Sequence, residues 1–157
     1  MGDCLVAGTQ GYSHSSEDYG YSAGGVRSGY TDTIQKFTFA SDANATDVAN
    51  LTAARAGRVS SCSVTHGYSG SGENQLSRLD KYSFASGSDA TTVGTSGQGH
   101  ATSDYGTGGC ASSLNSGYAA SGHVTNAIDK WSHITDGNAV DIADVAVPVN
   151  EACGTHG

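Results

Sequence analysis

The sequence predicts an all-β protein made of three repeated units, each of about 45–50 residues and four short strands. Three observations predict this class. A motif occurs three times in the same order, apolar and polar residues alternate within each copy, and the composition is rich in Gly (23) and Tyr (8) with a single Pro. Alternation with a period of two is typical of strands, and helical periodicity never lasts beyond a turn or two.

The repeated motif consists of an aliphatic residue, a polar residue, Lys, an aromatic residue and, in the next position, Ser or Thr. Its copies are TIQKFTFASDANATDV (Thr33–Val48), RLDKYSFASGSDATTV (Arg78–Val93) and AIDKWSHITDGNAVDI (Ala127–Ile142). A glycine–tyrosine tract precedes each copy, beginning at Gly20, Gly67 and Gly117. We therefore predict one repeat domain, 1–157, with units at about 1–57, 58–107 and 108–152, and with 153–157 starting a fourth unit.

Unit two illustrates the predicted strands. SSCSVTHGYSG contains the first strand, a tight turn and the second strand, SRLDKYSFAS is the third, and ATTVG is the fourth. In the third strand, Leu79 and Lys81 are predicted on one face and Asp80 and Tyr82 on the other. The glycine–tyrosine tracts are interpreted as tight turns. Segment Asp47–Val59 is the best helix candidate, but its counterpart in unit three is rich in β-branched residues, so strand is predicted.

Charge and hydropathy exclude several classes of partner. Fifteen acidic and seven basic residues give a formal charge of −8 without a basic cluster, which argues against nucleic acid. No run approaches the roughly 18 apolar residues of a membrane span. The first residues also lack the charged and apolar regions of a signal peptide. We expect neither nucleic-acid binding nor membrane insertion.

Candidate metal-ligating residues are scattered along the chain. Cys62, Cys110 and Cys153 are interpreted as repeat-equivalent and Cys4 as loosely so; small buried strand residues are predicted, with an inter-chain disulfide or a metal site as the alternative. His66 and His156 share one slot of the repeat, which indicates a turn or packing role. The remaining histidines, which likewise lack the spacing of metal ligands, are His14, His100, His123 and His133.

Two acidic turns superficially match calcium loops, because hard cations bind several oxygens from one short segment. They are Asp42-x-Asn44-x-x-Asp47 and Asp136-x-Asn138-x-x-Asp141. Unit two has Gly87, Asp89 and Thr92 instead, and no bidentate Glu follows. Hairpin turns are predicted, with calcium as the alternative for units one and three.

No catalytic set is visible. A G-x-S-x-G elbow is missing, Ser71 of the Gly70–Gly72 tract is not repeated, and no phosphate loop occurs. The glutamates Glu17, Glu73 and Glu151 do not form a pair for glycoside hydrolysis. We predict a non-enzymatic protein without cofactor, metal, or catalytic residues, and the sequence names no ligand-binding residue.

Tyrosine occurs in two settings. Tyr21, Tyr68 and Tyr118 recur once per unit, which predicts core or sheet-face positions. Besides Tyr82 of the repeated motif, four further tyrosines lie in Gly/Ser-rich connections, where they could stack on sugar rings: Tyr12, Tyr19, Tyr30 and Tyr105. A lectin-like carbohydrate-binding module with one site per repeat is therefore the alternative function.

The unit resembles the kelch β-propeller blade. Gly24 and Gly25 keep the glycine doublet at the end of the second strand, an aromatic residue lies on the third, and the fourth leads to Arg55. Units two and three lack a clear equivalent of Arg55, and their doublets are altered. The repeat is also similar to repeats in predicted virion structural proteins of marine bacteriophages, cyanophages among them.

This resemblance implies a non-enzymatic virion protein of a fibre, tail or capsid decoration. Its expected partners are copies of itself and other virion proteins, with adhesion to a host cell-surface glycan as a further role, at the virion surface. Three blades leave a propeller open, so two chains head to tail would close it. The terminal VNEACGTHG, which matches a first strand, favours this over the alternative β-trefoil or β-prism closed within one chain.

Overall fold

The structure is a computed structural model that describes residues 3–4, 8–57, 59–70, 77–97, 107–122 and 125–147. These residues form twelve strands and no helix. The strands are β1 (Tyr12–Ser15), β2 (Tyr19–Val26), β3 (Tyr30–Thr38), β4 (Thr46–Asn50), β5 (Val59–Cys62), β6 (His66–Gly70), β7 (Arg78–Ser83), β8 (Thr91–Thr95), β9 (Thr107–Ser112), β10 (Ser116–Gly122), β11 (Thr125–Ser132) and β12 (Val140–Asp144).

The strands form three four-stranded antiparallel sheets, and within each sheet neighbouring strands follow one another in the chain. Strands β1–β4, β5–β8 and β9–β12 are called units 1, 2 and 3. The prediction of an all-β chain with four strands per unit is confirmed. The first strands lie side by side, β1 against β5 and β5 against β9. Among the described residues the sheets do not close into a ring. The predicted fourth unit, 153–157, lies outside these residues.

A β-bulge interrupts the pairing of the third and fourth strands at the same place in every unit. One extra residue of the fourth strand lies opposite this interruption: Val48 in unit 1, Val93 in unit 2 and Ile142 in unit 3. A bulge bends a strand and increases its twist. The units therefore share a backbone irregularity as well as a motif, so that residues can be compared position by position.

Both faces of the middle sheet are covered by neighbouring units. Leu79 packs with Trp131 of unit 3, whereas Asp80 contacts Thr52 in the connection after unit 1. The predicted alternation of β7 is thus confirmed. We call the face that meets the preceding unit the leading face and the opposite one the trailing face.

The first glycine of each glycine–tyrosine tract lies inside a strand, so the prediction of a turn is wrong at these positions. Gly20, Gly67 and Gly117 pair with the aromatic residue of the neighbouring third strand, respectively Phe37, Tyr82 and Trp131. The ring covers the glycine so closely that an added Cβ would overlap it. Any side chain at these positions would require the ring to move, because the ring occupies the space that a Cβ would fill.

The connection between units 1 and 2 departs from the predicted strand. β4 ends at Asn50, and residues 51–57 are irregular. This connection carries Arg55 into the interior between the two units. Among the described residues, no helix is long and apolar enough to cross a membrane.

Candidate functional site

The surfaces between consecutive units, here called joints, concentrate the buried polar and aromatic side chains of the described residues. The first joint connects units 1 and 2, and the second connects units 2 and 3. Many of their contacts involve equivalent positions of the repeat. The joint is therefore the site that the repeated motif specifies.

Each joint contains a stacked aromatic pair. Tyr21 stacks on Phe84 with ring centroids 4.6 Å apart, and Tyr68 stacks on His133 at 4.5 Å. The tyrosine hydroxyl donates a hydrogen bond to the carbonyl of the stacked residue, at 3.2 Å and 3.1 Å respectively. Tyr21 and Tyr68 are buried, which confirms the predicted core position of these recurring tyrosines.

Each joint also contains a backbone clip between the end of a fourth strand and the hairpin turn of the next unit. Asn50 accepts from the N–H of Ala90 at 2.8 Å and donates its own N–H to Oδ1 of Asp89 at 2.8 Å. In the second joint, Thr95 makes the same two bonds, to Ala139 at 2.8 Å and to Asn138 at 3.1 Å. The carboxylate or amide oxygen of the turn thus accepts the backbone N–H that would otherwise donate to a neighbouring strand.

A third clip is made on the leading face of unit 1 by the chain's own first residues. The N–H of Asp3 donates to Oδ1 of Asn44 at 2.9 Å, and its carbonyl accepts from Ala45 at 2.9 Å. Asp3 therefore occupies the place that the end of a preceding fourth strand takes in the other joints.

The acidic turns serve the joints. They connect the third and fourth strands as predicted, and the amide oxygens of Asn44 and Asn138 accept backbone N–H groups. Within the described ranges, no group of three or more His, Cys, Asp or Glu side chains could hold a metal ion. The calcium alternative therefore gains no support from these residues.

The first joint contains a fully buried ion pair between Arg55 and Asp80. The distance from Nη2 to Oδ2 is 2.9 Å. The same guanidinium donates to the carbonyl of Ser69 at 3.1 Å and, through Nε, to the Tyr12 hydroxyl at 3.1 Å. Burial raises the pKa of Tyr12 to about 12, although the adjacent Arg55 opposes this shift.

The Asp80 carboxylate is saturated with further donors. Oδ2 accepts from the N–H and the hydroxyl of Thr52 at 2.9 Å and 2.6 Å, and Oδ1 accepts from Thr92 at 2.9 Å. A buried carboxylate is stable only when such donors and a cation surround it. The sequence resemblance pointed to Arg55, but Asp80 was not singled out. The available signal was an Asp at the polar motif position of two units, Asp80 and Asp129.

The ion pair of the second joint lies nearer to solvent than the Arg55–Asp80 pair of the first joint. Lys81 reaches the Asp136 carboxylate at 3.0 Å, and its Nζ lies 5.7 Å from the centre of the Tyr68 ring. Asp136 also accepts from the Tyr68 hydroxyl at 3.3 Å. In the first joint Gly87 occupies the position of Asp136, and Lys36 of unit 1 instead lies over the Tyr19 ring at 3.8 Å.

Histidines contribute packing and hydrogen bonds. His14 donates from Nε2 to the carbonyl of Tyr68 at 2.8 Å and accepts at Nδ1 from the Tyr82 hydroxyl at 2.9 Å. His133 is hydrogen-bonded to the Ser61 hydroxyl at 3.0 Å. Burial lowers the pKa of the His133 imidazole. His66 closes the turn between β5 and β6, in agreement with the predicted turn role. His100, His123 and His156 lie outside the described residues.

The cysteines do not share one repeat position, and this corrects the sequence interpretation. Cys62 pairs with Gly67, whereas the residue that pairs with the equivalent Gly117 is Ser112, two positions after Cys110. Cys62 and Cys110 are half-buried residues of strands, and Cys4 is exposed; none of these three described cysteines forms a disulfide. Cys153 lies outside the described residues.

The tyrosines assigned to connections divide into strand and surface positions. Tyr12 is a buried residue of β1, so its interpretation as a sugar-stacking loop residue is wrong. Tyr19 belongs to β2 and is covered by Lys36, whereas Tyr30 begins β3 and is exposed. Glu17 is exposed in the turn after β1. Tyr105, Ser71, Glu73 and Glu151 lie outside the described residues.

Comparison with known proteins shows a similarity in fold but not in sequence family. No family model matches the sequence, and no curated protein matches it. The chain is similar to the solved structure of YjhT, with a TM-score of 0.72 and 12 % identity over 92 % of this chain and 54 % of that one. The chain therefore spans about half the length of YjhT. At this identity the likeness shows the fold alone.

Proposed function

We propose that this chain is an architectural protein of a phage particle, built of three kelch-like propeller blades that assemble through their joints and act without catalysis. The observation that carries the proposal is the joint itself. Its buried ionisable groups, above all Arg55 and Asp80, are engaged in holding one unit to the next. Its aromatic side chains are stacked between units.

The arrangement of strands supports blades over a β-trefoil or β-prism. Each unit folds its own four strands into one sheet in chain order, and first strands lie side by side. A propeller blade has this form. The similarity to YjhT over 92 % of the chain supports a common arrangement of the three sheets.

The virion assignment follows from the sequence resemblance, and the particle surface is its proposed location. The partners would be copies of itself and neighbouring virion proteins, with a host-surface glycan as a further contact. The test is to purify phage particles from cultures that produce this chain, identify their proteins by mass spectrometry and locate this chain with labelled antibodies by electron microscopy. Absence of the chain from particles would overturn the proposal.

A lectin-like module with one site per repeat is the alternative, and a glycan array separates the two. The recurring Tyr21 and Tyr68 are buried, which disfavours one equivalent sugar site in every unit. Exposed Tyr30 is the residue to test. Strong saccharide-selective binding by the isolated protein, lost in Tyr30→Ser and kept in Tyr19→Phe, would replace the purely architectural function with a carbohydrate-binding one.

A further inference from the structure

We propose that the trailing face of unit 3 docks onto the leading face of unit 1 of a second copy, head to tail, forming a third joint. Tyr118 and Lys130 would supply one half of this joint, and Phe39 and Asp42 of the other copy would supply the other. The inference rests on the proposed function in self-assembly and identifies the surface that performs it.

The leading face of unit 1 is open where the other leading faces are covered. Phe37 is 36 % exposed, whereas Tyr82 and Trp131, at the same repeat position, are 3 % and 1 % exposed. Phe39 is 57 % exposed, whereas its equivalent His133 is 8 % exposed. The two phenylalanine rings lie edge to face, 5.9 Å apart. Unit 1 thus presents the aromatic pair that units 2 and 3 bury in a joint.

The trailing face of unit 3 is open in the same way. Tyr118 is half-buried, whereas the equivalent Tyr21 and Tyr68 are buried. Ile142, the bulge residue of β12, is 50 % exposed. Its equivalent Val93 packs against the hydrophobic cluster of the second joint. Unit 3 therefore carries the same kinds of side chain that units 1 and 2 use to bind the unit that follows them.

The charges of the two open faces are complementary. Lys130 lies 5.7 Å from the centre of the Tyr118 ring, the same placement that Lys81 has over Tyr68. In the second joint, that lysine binds Asp136 of the next unit. The residue at this turn position of unit 1 is Asp42, which is exposed. If unit 1 of a second copy meets unit 3 as unit 3 meets unit 2 within the chain, Asp42 of the second copy lies next to Lys130.

The equivalent positions of the repeat also assign the aromatic contact. The Tyr118 ring stacks on Phe39, and its hydroxyl donates to the Phe39 carbonyl, as the Tyr68 hydroxyl donates to His133. The backbone clip of unit 1 is already made by Asp3. Asp144 ends β12 as Asn50 ends β4. To make the clip, Asp144 of the docking copy must therefore displace Asp3 from Asn44 and Ala45. This exchange lowers the net gain of docking and leads us to expect a reversible association.

A second copy is the occupant that fits, because both complementary halves belong to one chain. Such a head-to-tail interface is heterologous, and it either closes into a ring or extends as a filament.

Sedimentation velocity of the full chain from micromolar to millimolar concentration tests the proposal. We expect a concentration-dependent rise from one copy to two or more. Asp42→Lys and Lys130→Glu should each weaken association by at least about 10-fold, because each places like charges opposite one another. The double variant restores the pair with its signs reversed and should recover association. Glu17→Lys changes the net charge as Asp42→Lys does, at an exposed turn that carries none of the four residues assigned to the third joint, and should have a smaller effect.

Two results would overturn the inference: a wild-type chain that stays a single copy throughout, or an association that neither charge reversal weakens. Asp42 is exposed and Lys130 is half-buried. Circular dichroism verifies that the variants fold. The inference and the proposed function can fail separately. Self-association through these residues in a protein that is absent from particles would refute the virion role alone, whereas a single-copy chain found in particles would refute this interface alone.

Discussion

Arg55 and Asp80 form an ion pair of 2.9 Å in which both side chains are completely buried, although the two residues belong to different units. Arg55 lies in the connection after β4, and Asp80 lies on β7 of the next sheet. Removing two charges from water is costly, so the pair is sustained by mutual attraction and by the hydrogen bonds of Thr52 and Ser69. The pair thus couples the stability of unit 1 to that of unit 2.

Replacing Asp80 with Ala should therefore be strongly destabilising. We expect a loss of about 3–5 kcal/mol in the free energy of unfolding, because the variant leaves the Arg55 guanidinium buried without its counter-charge. Urea unfolding followed by circular dichroism measures this loss. The double variant Arg55→Met/Asp80→Leu should recover much of it, since no unpaired charge remains. Asp89→Ala, at an exposed site, should cost only about 1 kcal/mol. Equal losses in Asp80→Ala and Asp89→Ala would contradict the assigned role of the ion pair.

The Tyr68 hydroxyl provides a second test of the joints. Tyr68→Phe keeps the ring that stacks on His133 but removes the hydrogen bonds to the His133 carbonyl and to Asp136. We expect a loss of about 1–2 kcal/mol in the free energy of unfolding, because the buried carbonyl loses its donor. The matched variant is Tyr118→Phe in unit 3, which should unfold like the wild type at concentrations where the protein is a single copy. A similar loss in both variants would mean that the effect is not due to the joint.

Much of the fold was predictable because the repeat constrains every unit at once. The order aliphatic–polar–Lys–aromatic placed the third strand three times, and each predicted sheet was found. The joints were less predictable. Asp80 appears in the motif only as a polar residue, and nothing local in the sequence shows that it meets Arg55, which is 25 positions earlier in the chain. Contacts between units depend on how the sheets pack.

The glycine–tyrosine tracts show why one prediction failed. Glycine beside serine is typical of turns, so Gly67 was interpreted as a turn residue. Its actual constraint is the Tyr82 ring on the adjacent strand, which lies 15 positions away in sequence. The prediction for Tyr12 was wrong for a similar reason. Its Gly/Ser-rich surroundings suggested a loop, whereas Arg55 and the core bury it.

The buried His133 makes stability depend on pH. Its pKa is lowered in the folded protein, chiefly by burial and, to a smaller extent, by Lys81, against the opposing effects of the backbone at Leu114 and Ser113 and of Asp136. The unfolded chain therefore binds a proton more readily than the folded one. This contribution to stability is complete above the ordinary value of 6.5 and is lost as the pH falls below it toward the folded pKa.

The melting temperature, measured from neutral pH down to mildly acidic pH, tests this dependence. It should fall less in His133→Phe than in the wild type. Phenylalanine is the matched replacement, because Phe84 fills the equivalent position in unit 2 and stacks on Tyr21 there. His66 also has a pKa lowered by burial, so His66→Asn is the control that removes the contribution of His66. If His133→Phe kept the full acid sensitivity of the wild type, the imidazole of His133 would not be its source.

The glycines beneath aromatic rings give a matched pair of substitutions. Gly117 lies under Trp131 and beside the Ser61 hydroxyl, and a Cβ there would overlap both. Since Trp131 is fully buried in the second joint, it cannot move aside, and Gly117→Ala should cost about 1–3 kcal/mol in the free energy of unfolding. Gly20 lies under Phe37 in the same way, but Phe37 borders solvent and can change rotamer, so that Gly20→Ala should cost less than about 1 kcal/mol. Urea unfolding of the two variants at a concentration where the protein is a single copy measures the difference. Equal costs would mean that intrinsic strand propensity, rather than the covering ring, determines the requirement for glycine.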